Sequence, residues 1–337
     1  MDVLSCLKEY FEQPNTVGGT AGTSHCDYDI FDCHDFNTLL IRESFEPNEH
    51  RIHIIMIDPN KVLNTIEKAI LAFKNTPGRS GRVLRLASAS EVIVVGDLHG
   101  RVDHLKKAFT LADLKANPKR TLIVQELIHG TTTHADGSDN SHLVLDMVAS
   151  LKCQFPNQVH YLLGNHELSQ VTNRQISKNN IDLNQLFDQG IAFAYPTMVA
   201  QIKDAYKNLI SVIPAMILLP NQVCISHSLP DKTKLESFDS KKLEVVPEQE
   251  SDLFPGGTVH SLVWGRDTSL ENAENFLNKV HCKWLVTGHI PCNHGFDYTN
   301  SKQIILDAHF DNAAGYCRLP ADQEITGEVF LKSGGLL

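Results

Sequence analysis

The chain has no Cys-x-x-Cys pair, no run of eighteen apolar residues, no internal repeat, no low-complexity tract and no heptad pattern worth the name. Each absence removes a class of protein. Its eight cysteines, at 6, 26, 33, 153, 224, 282, 292 and 317, follow no secretory spacing and read as reduced, mostly buried thiols. Without a long apolar run there is no pattern for a membrane-spanning helix. The opening MDVLSCLKEYFEQPN lacks the basic segment leading into an apolar core that marks a secretory signal, so the expected location is cytoplasmic. Positive charge is also short, with 30 Lys and Arg against 40 Asp and Glu and a formal net charge of −10. That balance argues against non-specific attraction to a nucleic acid duplex or an anionic membrane.

What remains is ordinary globular material. The 337 residues, 42% of them hydrophobic, can fill a sizeable core in one large domain with an appendage, or in two domains. Residues 1–55 are expected to form an N-terminal appendage and 56–337 the main domain, with its motifs between about 90 and 320. Within the appendage, NTVGGTAGTSHCDYDIFDCHDF is rich in turn formers. Its His25, Cys26, Cys33 and His34 lack zinc-ligand spacing and read as incidental side chains.

From Asp58 to Phe73, DPNKVLNTIEKAILAF predicts a capped amphipathic helix, ended by NTPGRSG. From residue 90 onward, apolar strand-like runs alternate with helical stretches, the pattern of a layered α/β core. The predicted strands are EVIVV, TLIVQEL, VHYLLG, QVCISH, KWLVTGH, QIILDAH, GYCRLP and ITGEVFL, and the acidic stretch 236–257 is expected to be a surface excursion.

Several of these strands end in residues of one chemical kind. In VIVVGDLHG, residues 92–100, four β-branched residues suit a strand buried on both faces that delivers Asp97 and His99 to its C-terminal edge. Spaced i, i+2 on extended chain, a carboxylate and an imidazole point the same way and can meet one cation. Gly96 and Gly100 allow the sharp turn around them. GNHE adds Asn165 and His166, QVCIS is followed by His227, KWLVTG by His289, and TLIVQ by Glu126. A single histidine after a strand is usually structural. Six such residues besides Glu126, mixing hard oxygens with borderline nitrogens at strand exits, suit a pair of divalent ions, whose mutual repulsion calls for a shared carboxylate. Glu126 is the residue placed for that.

Read in order, GDLHG, QELIHG, GNHE, SHSLP and VTGH resemble the calcineurin-like metallophosphoesterases, in the branch that holds serine/threonine phosphoprotein phosphatases and bacterial diadenosine tetraphosphate hydrolases. The resemblance covers roughly residues 90–320. It implies a four-layer αββα sandwich of two mixed β-sheets and metal-dependent hydrolysis of phosphate monoesters without a covalent phosphoenzyme. It makes Asp97 and His99 ligands of a first metal, puts Glu126 at the place of the bridging aspartate, gives a second metal Asn165, His227 and His289, and casts His166 as general acid. Arg266, in SLVWGRD, stands where a phosphate clamp is expected, although on chemistry alone a surface arginine after a buried tryptophan fits equally. The implied cofactors are two divalent ions, with manganese the common choice and iron or zinc chemically admissible. The implied partner is a phosphorylated protein or small molecule, with no nucleic acid duplex and no membrane.

One motif departs from the family. Its usual form is Gly-Asp-x-x-Asp-Arg-Gly, whereas this chain has Gln125, Glu126, Leu127, Ile128, His129 and Gly130. Glu126 is a methylene longer than aspartate, so the strand end is expected to sit back or the bridge to bind differently. His129 replaces the aspartate that orients the acid histidine, and Gly130 replaces a phosphate-binding arginine. Arg266 is expected to restore part of the lost charge, and Glu167 or another carboxylate to orient His166. Three functions stay open: a phosphoprotein phosphatase, a hydrolase of dinucleotide polyphosphates or other small phosphates, and a non-catalytic metal-binding module.

Overall fold

A computed structural model describes residues 41–46, 49–54 and 58–337, in two compact units, Met1–Val62 and Leu63–Leu337. In the first, strands Ile41–Glu46 and Glu49–Ile54 pair antiparallel. His25, Cys26, Cys33 and His34 lie outside the described residues. The helix expected from Asp58 spans Pro59–Lys74, and Asp58 Oδ1 accepts the Asn60 N–H at 2.9 Å as its cap.

The second unit is built on two sheets. One has seven strands, in the order Phe296–Asn300, Gln303–Leu306, Trp284–Thr287, Val223–Ser226, Met216–Leu218, Val83–Arg85 and Arg79–Ser80. The other has five, in the order Gly334–Leu336, Gly315–Pro320, Glu91–Asp97, Arg120–Gln125 and Val159–Leu162. Both are mixed, because Gly315–Pro320 and Met216–Leu218 run antiparallel to a neighbour in otherwise parallel cores.

The β-branched run Val92 to Val95 is buried on both faces, as its composition implies. Val92 and Val94 join Ile123 and Leu162 against Ile217, Ile225, Val286 and Ile304 of the facing sheet. By strand alternation Ile93 and Val95 point the other way, the side on which helices Val102–Ala112 and His142–Gln154 pack over the neighbouring strands. Helix Leu270–Val280 covers Trp284–Thr287 of the seven-stranded sheet. The outcome is the four-layer αββα sandwich that the motifs implied.

Parallel strands have a common exit edge. Glu91–Asp97, Arg120–Gln125 and Val159–Leu162 are parallel in one sheet, and Val223–Ser226, Trp284–Thr287 and Gln303–Leu306 in the other. The two sheets touch where Asp97 and Asp307 form a parallel bridge, with the Ala308 N–H donating to the Asp97 carbonyl at 3.1 Å.

One expectation needs revision. ITGEVFL is not a strand: Thr326 Oγ1 accepts the Val329 N–H and starts a short helix, Gly327–Phe330, whose Phe330 stacks on Trp284 with centroids 4.8 Å apart. The strand comes afterwards, at Gly334–Leu336. The acidic excursion 236–257 is held more firmly than a plain surface loop. Glu248 takes two hydrogen bonds from Arg82, at 2.6 and 2.9 Å, and Glu244 takes two from Arg85, at 2.8 and 3.1 Å.

Candidate metal centre

All six residues read as ligands meet at the shared exit edge. Asp97 ends its strand, Glu126 follows Arg120–Gln125, Asn165 opens helix Asn165–Thr172, His227 follows Val223–Ser226, and His289 lies just past Trp284–Thr287. His99 is half-buried and the other five are buried. The chain turns abruptly there: His99, Glu126, His129 and His289 have φ of 41°, 44°, 60° and 67°. For residues with a Cβ, this left-handed backbone costs roughly 1–2 kcal/mol each. Strain gathered at one spot is a mark of functional sites.

Glu126 is the hub. Its Oε1 lies 3.3 Å from His99 Nε2 and 3.6 Å from His166 Nε2, and its Oε2 lies 3.0 Å from His227 Nε2. It therefore belongs to two clusters of ligand-type atoms, His99 with Glu126 and His166, and Asp97 with Glu126 and His227. Asn165 Oδ1 joins them, 2.9 Å from His227 Nε2 and 2.7 Å from His289 Nδ1.

Hydrogen bonds behind these side chains decide where their lone pairs point. His99 Nδ1 is 3.0 Å from the Ile128 carbonyl, which can only accept, so a neutral His99 carries its proton there and turns a bare Nε2 toward Glu126. Gln125 Nε2 donates to the Val95 carbonyl at 3.1 Å, leaving Oε1 to accept from His227 Nδ1 at 3.1 Å. His227 Nε2 is then bare as well. Burial favours the neutral forms, pushing His99 down to about 4 and lowering His227. Burial also raises Asp97 and Glu126, with Glu167 adding to the effect at Glu126.

Asp97 Oδ1 is buried without a hydrogen-bond partner, while Oδ2 accepts the His289 N–H at 2.7 Å. With Glu126 ionised, the bare Nε2 atoms of His99 and His227 face its oxygens with no proton between them, an arrangement that a cation relieves. Carboxylate oxygen, amide oxygen and imidazole nitrogen together suit divalent first-row metals. The residues present fit such ions.

The divergent motif has its own solution. The extra methylene of Glu126 is taken up by its left-handed backbone and by the bare Gly164 opposite, where a Cβ would collide with Glu126 Oε2. Glu167 does not orient His166. Its Oε1 accepts the Leu127 N–H at 2.8 Å and its Oε2 accepts the Gly164 N–H at 3.1 Å, tying the Glu126 turn to the helix start. An imidazole stands where a carboxylate was expected: His129 Nδ1 is 3.0 Å from His166 Nδ1.

Arg266 is exposed, and its peptide N–H donates to Asp231 Oδ1 at 2.7 Å. After burial and, for His289, the neighbouring His227, its charge also lowers the pKa of His227 and His289. Trp264, half-buried, lies edge-on to His289 at 6.1 Å.

Sequence reasoning passed over a further pair. Asp307 Oδ1 contacts His309 Nδ1 at 2.6 Å, and the His309 ring lies edge-on to His99 at 5.7 Å. The signal was present, since QIILDAH is one more strand exit ending in an acid and a histidine.

A family model described as calcineurin-like phosphoesterase matches residues 90–293. No curated protein sequence matches the chain. Among solved structures, the chain is similar to a protein serine/threonine phosphatase from Saccharomyces cerevisiae with similarity to human phosphatase PP5 (TM-score 0.58, 16% identity, 80% of this chain and 88% of that one). It is also similar to a cold-active protein-tyrosine phosphatase of a psychrophilic Shewanella species (TM-score 0.51, 14% identity, 71% of this chain and 77% of that one). At such identities the likeness is one of fold. The family model, however, spans more than half of the chain and takes in the six residues read as ligands, from Asp97 to His289, and the chain belongs to the calcineurin-like phosphoesterase family as a metallophosphoesterase.

Proposed function

We propose that the chain hydrolyses phosphate monoesters at a centre of two divalent cations, with phosphoserine and phosphothreonine proteins as its substrates in the cytoplasm. The observation that carries this reading is the single carboxylate of Glu126 shared between two ligand clusters. In this reading, which follows the family's motif order, Asp97 and His99 would hold one ion and Asn165, His227 and His289 the other, with Glu126 shared; in the side-chain clusters themselves Asp97 lies with His227 and His99 with His166. Manganese is the ion proposed, on the mixed oxygen and imidazole ligand set. When bound, such ions acidify water and neutralise charge on phosphoryl oxygens.

The protein's own groups do the rest. Asn165 and Arg266 orient the phosphate, and Arg266 makes up for the arginine that Gly130 replaces. His166, with Nε2 facing Glu126, delivers a proton to the departing alkoxide, a transfer that typically contributes about 10²- to 10⁴-fold. A protein substrate is supported by the two similar folds, both of which bear protein-phosphatase names.

The test is hydrolysis of p-nitrophenyl phosphate, a serine phosphopeptide and a dinucleotide polyphosphate by metal-stripped protein, with and without manganese, beside Glu126→Ala. Manganese-dependent turnover that is lost in the variant and highest on the phosphopeptide is expected. Turnover confined to the dinucleotide would reassign the substrate, and a folded protein inert with every divalent metal would leave a metal-binding module.

A further inference from the structure

Behind His166 runs a chain of polar side chains in which every hydrogen bond has a fixed direction. At its far end Lys203, on helix Val199–Val212, donates to Asp188 Oδ2 on helix Leu183–Ala194. An ammonium can only donate, so Asp188 is held as an acceptor. Asp188 Oδ1 accepts from Gln170 Nε2 at 2.9 Å. The Gln170 amide is thereby oriented, with Oε1 toward His129 Nε2 at 3.1 Å. Only a protonated Nε2 can donate to it. Burial pushes His129 down to about 4, so near neutral pH it carries one proton and must accept at Nδ1. Its neighbour at 3.0 Å, His166 Nδ1, must then be the donor.

We propose that His129, Gln170, Asp188 and Lys203 are positioning residues that hold His166 as the Nδ1–H tautomer, with a bare Nε2 turned into the metal centre. Resting on the phosphoesterase reading above, this also sets the order of proton transfers. In a neutral His166, a proton held on Nδ1 leaves Nε2 as the acceptor. As the new P–O bond forms, an O–H bond of the attacking water breaks and its proton joins His166 Nε2. As the old P–O bond breaks, its electron pair goes to the leaving oxygen, and that oxygen takes the proton from Nε2.

Asp188→Asn reverses the chain. In that variant the side-chain carbonyl at position 188 answers Lys203, the amide beside it faces Gln170, and Gln170 turns its own Nε2 to His129. The His129 proton then moves to Nδ1 and that of His166 to Nε2. Side-chain ¹⁵N spectra of the metal-free, full-length protein read this directly, with His166 resonances identified from a His166→Gln sample. The expected result is a bare Nε2 and a protonated Nδ1 in the unaltered protein, and the opposite in Asp188→Asn. In Gln170→Leu, which breaks the chain without reversing it, a mixture is expected.

Turnover of alkyl phosphates by manganese-loaded Asp188→Asn should fall about 10- to 100-fold in kcat with KM nearly unchanged, the size of loss typical when groups behind an active site are altered. A protonated Nε2 in the unaltered protein, or a tautomer indifferent to both substitutions, would overturn the proposal. Should the spectra show the expected tautomers while no phosphate ester is hydrolysed, the relay stands and the proposed function falls.

Discussion

Gly164 and Glu126 occupy each other's space: a Cβ built on residue 164 would collide with Glu126 Oε2 and come within 2.6 Å of Glu167 Oε2. The carboxylate at the hub of the candidate metal centre reaches its place because GNHE begins with a residue that has no side chain. Gly288 does the same for Asp97, whose Oδ1 would collide with a Cβ there.

Gly164→Ala is therefore expected to damage metal binding as well as folding. The methyl would push Glu126 off the line between His99 and His227 and loosen the Glu167 bonds to Leu127 and Gly164. Manganese affinity should fall at least about 10-fold, on the scale of losses for displaced ligand supports. Overpacking at this site should cost about 1–3 kcal/mol of stability. Calorimetric titration of metal-free protein with manganese, beside urea unfolding, separates the two. Affinity unchanged in the variant would remove Glu126 from the ligand set.

Much of this was legible in the chain itself, and for a physical reason. Parallel strands buried on both faces, such as VIVV and WLV, must be continuously apolar, so the polar residue that ends each one stands out and marks the common exit edge. That rule picks out Asp97, Glu126, Asn165, His227 and His289, whose side chains the fold brings together. Val83–Arg85 and Met216–Leu218 were not, because three residues are too few to display a period. The partner of His166 was hidden for another reason. Gln170 reaches His129, and Asp188 reaches Gln170, from helices whose faces meet only in the tertiary fold, and no spacing in the sequence encodes that meeting. Glu167 looked like the natural carboxylate, yet three residues into GNHE it turns back to cap its own helix start.

Arg266 tests how the site holds phosphate. Gly130 leaves the second motif without its usual cation, and the Arg266 charge is felt at His227 and His289. Charge-assisted hydrogen bonds contribute about 1.5–3 kcal/mol, so Arg266→Ala should weaken inhibition by inorganic phosphate by roughly 10- to 100-fold. Bound manganese should be unchanged. Arg266→Lys should recover little of the loss, because an ammonium lacks the planar fork that grips two phosphoryl oxygens. Full recovery by lysine would reduce the role to charge alone, and unaltered inhibition in Arg266→Ala would leave a surface arginine.

Lys152 gives a pH dependence away from the metal cluster. The side chain is buried, and its ammonium is surrounded by Thr76 Oγ1 at 2.9 Å, the Pro156 carbonyl at 2.6 Å and the Val159 carbonyl at 3.1 Å. Burial, with a smaller push from Arg79, lowers its pKa to about 7. The unfolded chain keeps a lysine near its ordinary value of about 10.4, so between these limits the unfolded state binds more protons and stability rises with pH. Lys152→Met removes that rise and leaves three acceptors without a donor, which destabilises the protein at every pH. Its deficit relative to the unaltered protein should therefore be larger at pH 9 than at pH 6.5, measured by urea unfolding of the metal-free proteins. Equal deficits at the two values would mean that the three acceptors hold the ammonium charged throughout, with no lowering of its pKa on folding.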